Sequence, residues 1–206
     1  MGKHGKLVYS GPVTSQASRI IALYRRHAGA WAERRGRRFD ERPCVDRLLA
    51  LLSASPAVLD IGCGSGEPIG RYLVGHGCKV TGIDAAPELI ALARRRVPRG
   101  SWIVADMRTL ALPDRFDGVV AWNSLFHLTP GDQRRMFPVF GQHAAARAAL
   151  MFTTGPGEGE AIGSFEGEPL YHASLAAAEY RALLDDNGFD VVDHVVEDPD
   201  CGGHTV

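Results

Sequence analysis

The chain has 206 residues, 45% of them hydrophobic and 23% charged, with a formal net charge of −1. That is enough to bury one sizeable core and is near the upper end for a single α/β domain. Both signs of charge are scattered, so no strong field draws in nucleic acid or an anionic membrane, no apolar run approaches bilayer length, and the expected partner is a small molecule.

The N-terminal stretch "MGKHGKLVYSGPVTSQ" lacks the apolar core of a secretory leader. Cys44, Cys63, Cys78 and Cys201 form no C-x-x-C pair or knuckle spacing, which reads as four reduced thiols in a cytoplasmic protein. From Thr14 to about Arg35 the residues Ile20, Leu23, Tyr24, His27, Ala28 and Trp31 recur at three- and four-residue intervals, predicting an amphipathic helix that Gly36 stops. Arg34, Arg35, Arg37 and Arg38 then read as a solvated helix end. A second helix starts near Pro43 and carries Val45, Leu48, Leu49 and Leu52. Residues 1–54 are therefore expected to form a helical extension, and 55–206 the main domain.

From Ala57 onward short apolar runs alternate with helical patterns. "AVLDI" is followed by a helix over 68–76, "CKVTGID" by a helix over 87–97, and "SWIVAD" and "FDGVVAW" by a helix opening at "TPGDQ". The strand "AALMFTT", a helix from Ser174 to Asn187 and the strand "FDVVDHVV" complete the series. Such alternation predicts a Rossmann-like, doubly wound, mostly parallel sheet, with ligands bound beyond the carboxyl ends of its strands. The segment 155–174 is long, glycine-rich and without periodicity, which reads as a lid or a disordered loop; its acids Glu158, Glu160, Glu166 and Glu168 read as solvent-facing charge, or as a lure for a cationic acceptor.

The turn after the first strand, "VLDIGCGSGEPIG", sets Gly62, Gly64 and Gly66 in alternation behind Asp60, with Cys63 between them. A dinucleotide fingerprint would place its third glycine at position 67, where this chain has Glu67. A carboxylate there would repel a pyrophosphate by about a kcal/mol or more at an effective dielectric of about 20, so the loop suits a nucleoside ligand without phosphates. Asp84, beside Ala85 at the end of the second strand, can accept from both ribose hydroxyls. At the end of the third strand Asp106 can accept from an adenine amine while Met107 packs on the ring, or Asp106 can cap the turn that follows. "AWNSLFHL" brings Trp122, Asn123 and His127 to the same rim.

This constellation resembles the class I S-adenosylmethionine-dependent methyltransferases of small molecules, over Val58 to roughly Val196. The resemblance implies S-adenosylmethionine as cofactor and S-adenosylhomocysteine as product. It implies Gly62, Gly64 and Gly66 under the methionine and ribose, Asp60 facing the amino group, and Tyr24 and Trp31 closing over the cofactor. His127 becomes the candidate base, and Asn123, Tyr171 and His172 candidate substrate contacts, for methyl transfer to O or N of a small acceptor. Methyl transfer from a sulfonium leans mainly on in-line positioning, so a base is not required. Asn123 is followed by Ser124 and Leu125, unlike the prolines and aromatic ring of amino-methylating nucleic-acid enzymes. No His/Asp/Glu cluster has ligand spacing, so no metal is expected, and a monomer or homodimer fits equally. The family normally ends in an antiparallel hairpin, for which "DPDCGGHTV" leaves little chain. Two rivals remain: a nicotinamide-dependent oxidoreductase, which lacks a Tyr-x-x-x-Lys pair here, and a non-catalytic adenosyl-binding protein.

Overall fold

The computed structural model describes residues 14–36 and 38–206; the stretch read for a leader, 1–13, and Arg37 of the basic cluster lie outside the described residues. Five strands, β1 (Ala57–Ile61), β2 (Lys79–Asp84), β3 (Ser101–Val104), β4 (Phe116–Ala121) and β5 (Ala144–Phe152), pair in parallel in the order β3-β2-β1-β4-β5. Strand order reverses at β1, so a crevice opens above β1 and β4, where this class of sheet binds its ligands.

Side-chain alternation divides the core between the two faces of the sheet. Val58, Val80 and Val120 face one way, onto α4 (Arg42–Leu51), α5 (Ile69–Gly75) and α6 (Pro87–Arg96). Leu59, Ile61, Ile83 and Val119 face the other, onto Met136, Phe137 and Phe140 of α7 (Pro130–His143) and Leu184 of α8 (Ala177–Asp186). Thr129 caps α7 by accepting the Asp132 amide hydrogen at 3.2 Å, and Pro130 sits in its first turn. Trp102 plugs the first face and donates its indole hydrogen to Val97 O at 2.8 Å. A Cβ built on Gly82 would come within 2.3 Å of its ring, so β2 has room for the indole only because that residue is glycine.

Several expectations change. The single helix over 14–35 is three short ones, α1 (Thr14–Ala17), α2 (Ile20–Arg26) and α3 (Ala28–Arg35); α2 and α3 part where the backbone leaves helical geometry at His27 (φ −108°, ψ 21°), whose ring turns to Glu168. Of the helices before β1, α4 packs into the sheet's core through Cys44, Val45 and Leu48, whereas α2 and α3 lie over the crevice, against α6 and the segment that follows β5. That segment, read as an aperiodic loop, is a hairpin of β6 (Gly159–Phe165) and β7 (Glu168–Ser174). Glu166 and Gly167, both at positive φ (50° and 79°), supply the two-residue turn whose twist suits a hairpin.

The strand expected over 189–196 does not form. Val192 and Val196 are left exposed, and only Val195 pairs, exchanging two 3.0 Å backbone bonds with Val206. Thr205 bridges Thr154 beyond β5 and His204 bridges Asp198, both antiparallel, and with the Val195–Val206 pair these isolated bridges stand where a closing hairpin would be. The four reduced thiols are also corrected: Cys44 and Cys201, 157 residues apart, form a disulfide with a Cα–Cα distance of 6.0 Å, leaving Cys63 and Cys78 free and buried. The cytoplasmic expectation loses the thiol argument with them. Among the described residues no helix is long and apolar enough to cross a membrane.

Candidate functional site

Between β1 and α5 the chain must turn sharply and keep its backbone bare. Gly62, Gly64 and Gly66 take φ of 79°, 55° and 73°, the left-handed region that glycine enters without steric cost. The amides of Gly62 and Cys63 both donate to Ile83 O, at 2.8 and 3.0 Å, which ties the loop to β2. Asp84, at the end of β2, accepts from Gly64 N–H at 3.0 Å and from Ala86 N–H at 2.8 Å, one bond on each oxygen. Burial nevertheless lifts its pKa from the usual carboxylate range to about 6, the two backbone hydrogen bonds opposing. Asp60, 3% exposed, is lifted to about 7 by burial and then by the charge of Asp84, with Arg35 opposing. Among the described residues no group donates a hydrogen bond to Asp60, and the buried Ser65 hydroxyl has no partner either.

A cavity of about 110 Å³ opens at these strand ends. Gly62, Gly64, Asp84, Ala85, Asp106, Met107, Asn123 and His127 line it from the sheet, and Tyr24 and Trp31 from the cap above. These ten sequence-predicted residues are brought together. The other six are not on its wall. Cys63 points beneath β2, its sulfur 2.9 Å from the place of a Gly82 Cβ, and burial pushes its thiol pKa well up. Gly66 faces Trp102. Trp122 follows strand alternation onto the α4–α6 face, where its ring meets His204 edge-on at 5.2 Å. Asp60 lies behind the glycine loop. Tyr171 is fully buried on β7 with its hydroxyl on Glu160 at 2.8 Å, and His172 packs on Phe126 and His127.

Asp106 caps the turn that follows it and also lies on the cavity wall. Its carboxylate caps the short turn Met107–Thr109 by accepting from Arg108 N–H at 3.0 Å and pairs with the Arg108 guanidinium, which holds its pKa below the usual range, while the residue still lines the cavity. Glu67 is not a bare carboxylate: Arg71 at 2.6 Å and Arg96 at 2.9 Å pair with it, so its charge is met locally and the repulsion argued from sequence is largely cancelled.

His127 differs most from its sequence reading. Its Nδ1 lies 2.8 Å from Tyr171 O and its Nε2 2.8 Å from the Tyr24 hydroxyl. Burial drives its pKa down to about 3, with His172 adding slightly, so the ring is neutral and its free nitrogen is already engaged. An unengaged base is not what this geometry presents.

Two features escaped sequence reasoning. Arg35 is not part of a solvated end, because it pairs with the buried Glu41 and its charge reaches Asp60; Arg34 and Arg38 are exposed as expected, though Arg34 also pairs with Glu166 at 3.0 Å and lies over the Phe165 ring. The hairpin tip also grips the cap. Glu168 takes Arg26 and His27 together, and Phe165 sits among Tyr24, His27 and Trp31. Glu166 and Glu168 thus pair with the cap while staying partly open to solvent, and Glu158 and Glu160 are exposed as expected.

Residues 58–145 match a family model described as a methyltransferase domain. Over 104 residues the chain is 36% identical to the magnesium-protoporphyrin O-methyltransferase of Rhodobacter capsulatus, covering 48% of this chain and 45% of that protein. Over 88 residues it is 36% identical to the malonyl-[acyl-carrier protein] O-methyltransferase of Enterobacter lignolyticus, covering 41% and 34%. The chain therefore spans less than half the length of these relatives. Among solved structures, the 1,6-didemethyltoxoflavin-N1-methyltransferase of Burkholderia thailandensis, with 1,6-didemethyltoxoflavin and S-adenosylhomocysteine bound, superposes with a TM-score of 0.73 at 20% identity, covering 96% of this chain and 89% of that one. The sugar N-methyltransferase KedS8 from Streptoalloteichus gives 0.66 at 19% identity, covering 96% and 93%.

Proposed function

Residues 58–145 are a class I S-adenosylmethionine-dependent methyltransferase domain, and from that premise we propose that this chain transfers the methyl group of S-adenosylmethionine to O or N of a small molecule. The observation that carries the reading is Asp84, held by the Gly64 and Ala86 amides at the end of β2, next to the strand where the sheet order reverses, with free lone pairs toward the cavity. A ribose diol is a matching donor pair.

The unpaired groups fit the rest of the cofactor. Asp60 has an acceptor without a donor among the described residues, as an amino group requires; the orphaned Ser65 hydroxyl of the glycine loop can donate to a carboxylate, and the charge of Arg35 reaches Asp60. Asp106 and Met107 remain the proposed adenine contacts, and Gly62 and Gly64 let the ligand approach bare backbone. The bound cofactor supplies a methyl on a sulfonium, whose displacement releases a neutral thioether. The residues of this chain orient the two reactants and exclude water. Tyr24 and Trp31 are the proposed cover, and the cavity of about 110 Å³, below the roughly 300 Å³ common for ligand sites, requires that cover to shift on binding. We read the segment through α3 as that cap. The partner class is a small molecule, with no nucleic acid, as a monomer or homodimer and in the cytoplasm.

Thermal shift tests the reading. S-adenosylmethionine or S-adenosylhomocysteine at a hundred times its Kd adds about 2.7 kcal/mol, which raises Tm by about 5–10 °C in a chain of this size. NAD⁺ gives no rise. A rise with NAD⁺ alone refutes the assignment.

A further inference from the structure

We propose that Tyr24 and His127 form a hydrogen-bond relay of fixed direction, by which the acceptor end of the cavity selects a methyl acceptor carrying its own N–H or O–H and rejects a carboxylate. The proposal rests on the cofactor reading above and adds to it the chemical class of the second substrate.

The direction follows from one group that can only accept. The Tyr171 carbonyl oxygen lies 2.8 Å from His127 Nδ1, so Nδ1 carries the hydrogen. In a neutral imidazole Nε2 is then bare and takes the hydrogen of the Tyr24 hydroxyl at 2.8 Å. Burial keeps the imidazole neutral throughout the physiological range. Tyr24 Oη, its hydrogen spent, keeps only lone pairs for a ligand.

This polarity survives movement of the cap. Tyr171 is on β7, whereas Tyr24 is on α2. If Tyr24 withdraws as the cofactor enters, the atom left facing the cavity is Nε2, again an acceptor. The surroundings agree in sign. Arg108, the one guanidinium on the cavity wall among the described residues, is committed to Asp106; Ile20, Ile21 and Leu128 add apolar wall, and of the polar residues beside them Ser124 donates its hydroxyl hydrogen to Ile61 O at 2.7 Å. A carboxylate placed here gives up its hydration and meets the lone pairs of the relay without an uncommitted guanidinium on the wall. An amine or hydroxyl donates to the relay and keeps its own lone pair for the methyl carbon.

His127 is thus a positioning residue, acting through Tyr24. The relay moves no proton. The acceptor's lone pair forms the new bond to carbon, the C–S electron pair stays on sulfur, and the acceptor's proton departs to water.

The test uses the full chain loaded with S-adenosylhomocysteine and ¹⁵N-labelled histidine. NMR is expected to show His127 as the Nδ1–H tautomer, without titration between pH 5 and 8. Benzylamine and benzyl alcohol are expected to perturb its Nε2 signal and to bind about tenfold or more tightly than benzoate. In His127→Leu the Tyr24 hydroxyl turns freely and donates, so the preference collapses. In Tyr24→Phe, the milder change, Nε2 substitutes and the preference persists. An Nε2–H tautomer, benzoate binding as tightly as benzylamine, an unchanged preference in His127→Leu, or no response of the Nε2 signal to benzylamine each overturns the proposal. Failure of S-adenosylhomocysteine to bind instead sinks the cofactor reading, while the tautomer of the ligand-free chain still decides the relay.

Discussion

Replacing Asp60 by asparagine should stabilise the ligand-free protein, and by an amount that grows with pH. Asp60 is 3% exposed, with no hydrogen-bond donor among the described residues, and its pKa stands at about 7 against an ordinary 3.8. Because the folded value lies above the unfolded one, the folded chain holds a proton that the unfolded chain surrenders. Stability is therefore greatest below pH 3.8 and falls as pH rises to about 7. Each unit is worth about 1.4 kcal/mol, so some three units amount to about 4 kcal/mol at pH 8, of which about 1.5 kcal/mol is already lost at pH 5. Asparagine has the same shape and no such titration, so its advantage should widen by about 2–3 kcal/mol between pH 5 and 8, or by about 5–10 °C in Tm.

The difference between variant and wild type is the quantity to measure, because the wild-type curve mixes signs. His127, depressed from 6.5 to about 3, adds stability that is full above pH 6.5 and is lost as pH falls, which opposes Asp60 across the same interval. Paired urea titrations at pH 5 and pH 8 cancel that contribution. A gap that is flat with pH, or an asparagine variant less stable at pH 8, refutes the reasoning that an unpaired buried carboxylate awaits a cation here. The same carboxylate should release its proton when the amino group of S-adenosylhomocysteine arrives, so the calorimetric heat of binding at pH 7 should depend on the buffer in wild type and not in Asp60→Asn.

Two further outcomes follow from the packing. Glu168→Gln weakens the grip of the hairpin on Arg26 and His27, pairs exposed enough to contribute less than about 1 kcal/mol to stability; stopped-flow release of S-adenosylhomocysteine should nonetheless quicken severalfold, and an unchanged rate would mean that the hairpin does not restrain the cap. Gly82→Ala drives a methyl to within 2.3 Å of Trp102 and should lower stability by about 2–3 kcal/mol in urea, whereas Gly29→Ala, exposed in the first turn of α3 with nothing within 4 Å, should be neutral or stabilising.

What could be read from the sequence was what short stretches of chain decide for themselves. Buried parallel strands are apolar runs, their helices keep a 3.6 period, and a loop that must take left-handed φ three times running shows it as Gly62, Gly64 and Gly66. The rim residues Asp84, Asp106, Asn123 and His127 were legible because strand ends in such a sheet converge on one crevice. Pairings between distant segments left no mark of their own. Glu166-Gly167 makes a hairpin turn without the Asn or Asp that usually signals one, so β6 and β7 looked like loop. Arg34, Arg35, Cys44 and Glu168 each looked ordinary until the fold supplied Glu166, Glu41, Cys201 and the pair Arg26–His27. His127 stands between these cases. A histidine beyond the fourth strand is visible in one dimension, but which of its nitrogens carries the proton is decided by a carbonyl 44 residues further along, on a hairpin that the sequence concealed. The position of the site was therefore local information, and the direction of its hydrogen bonds, on which the choice of acceptor turns, was tertiary.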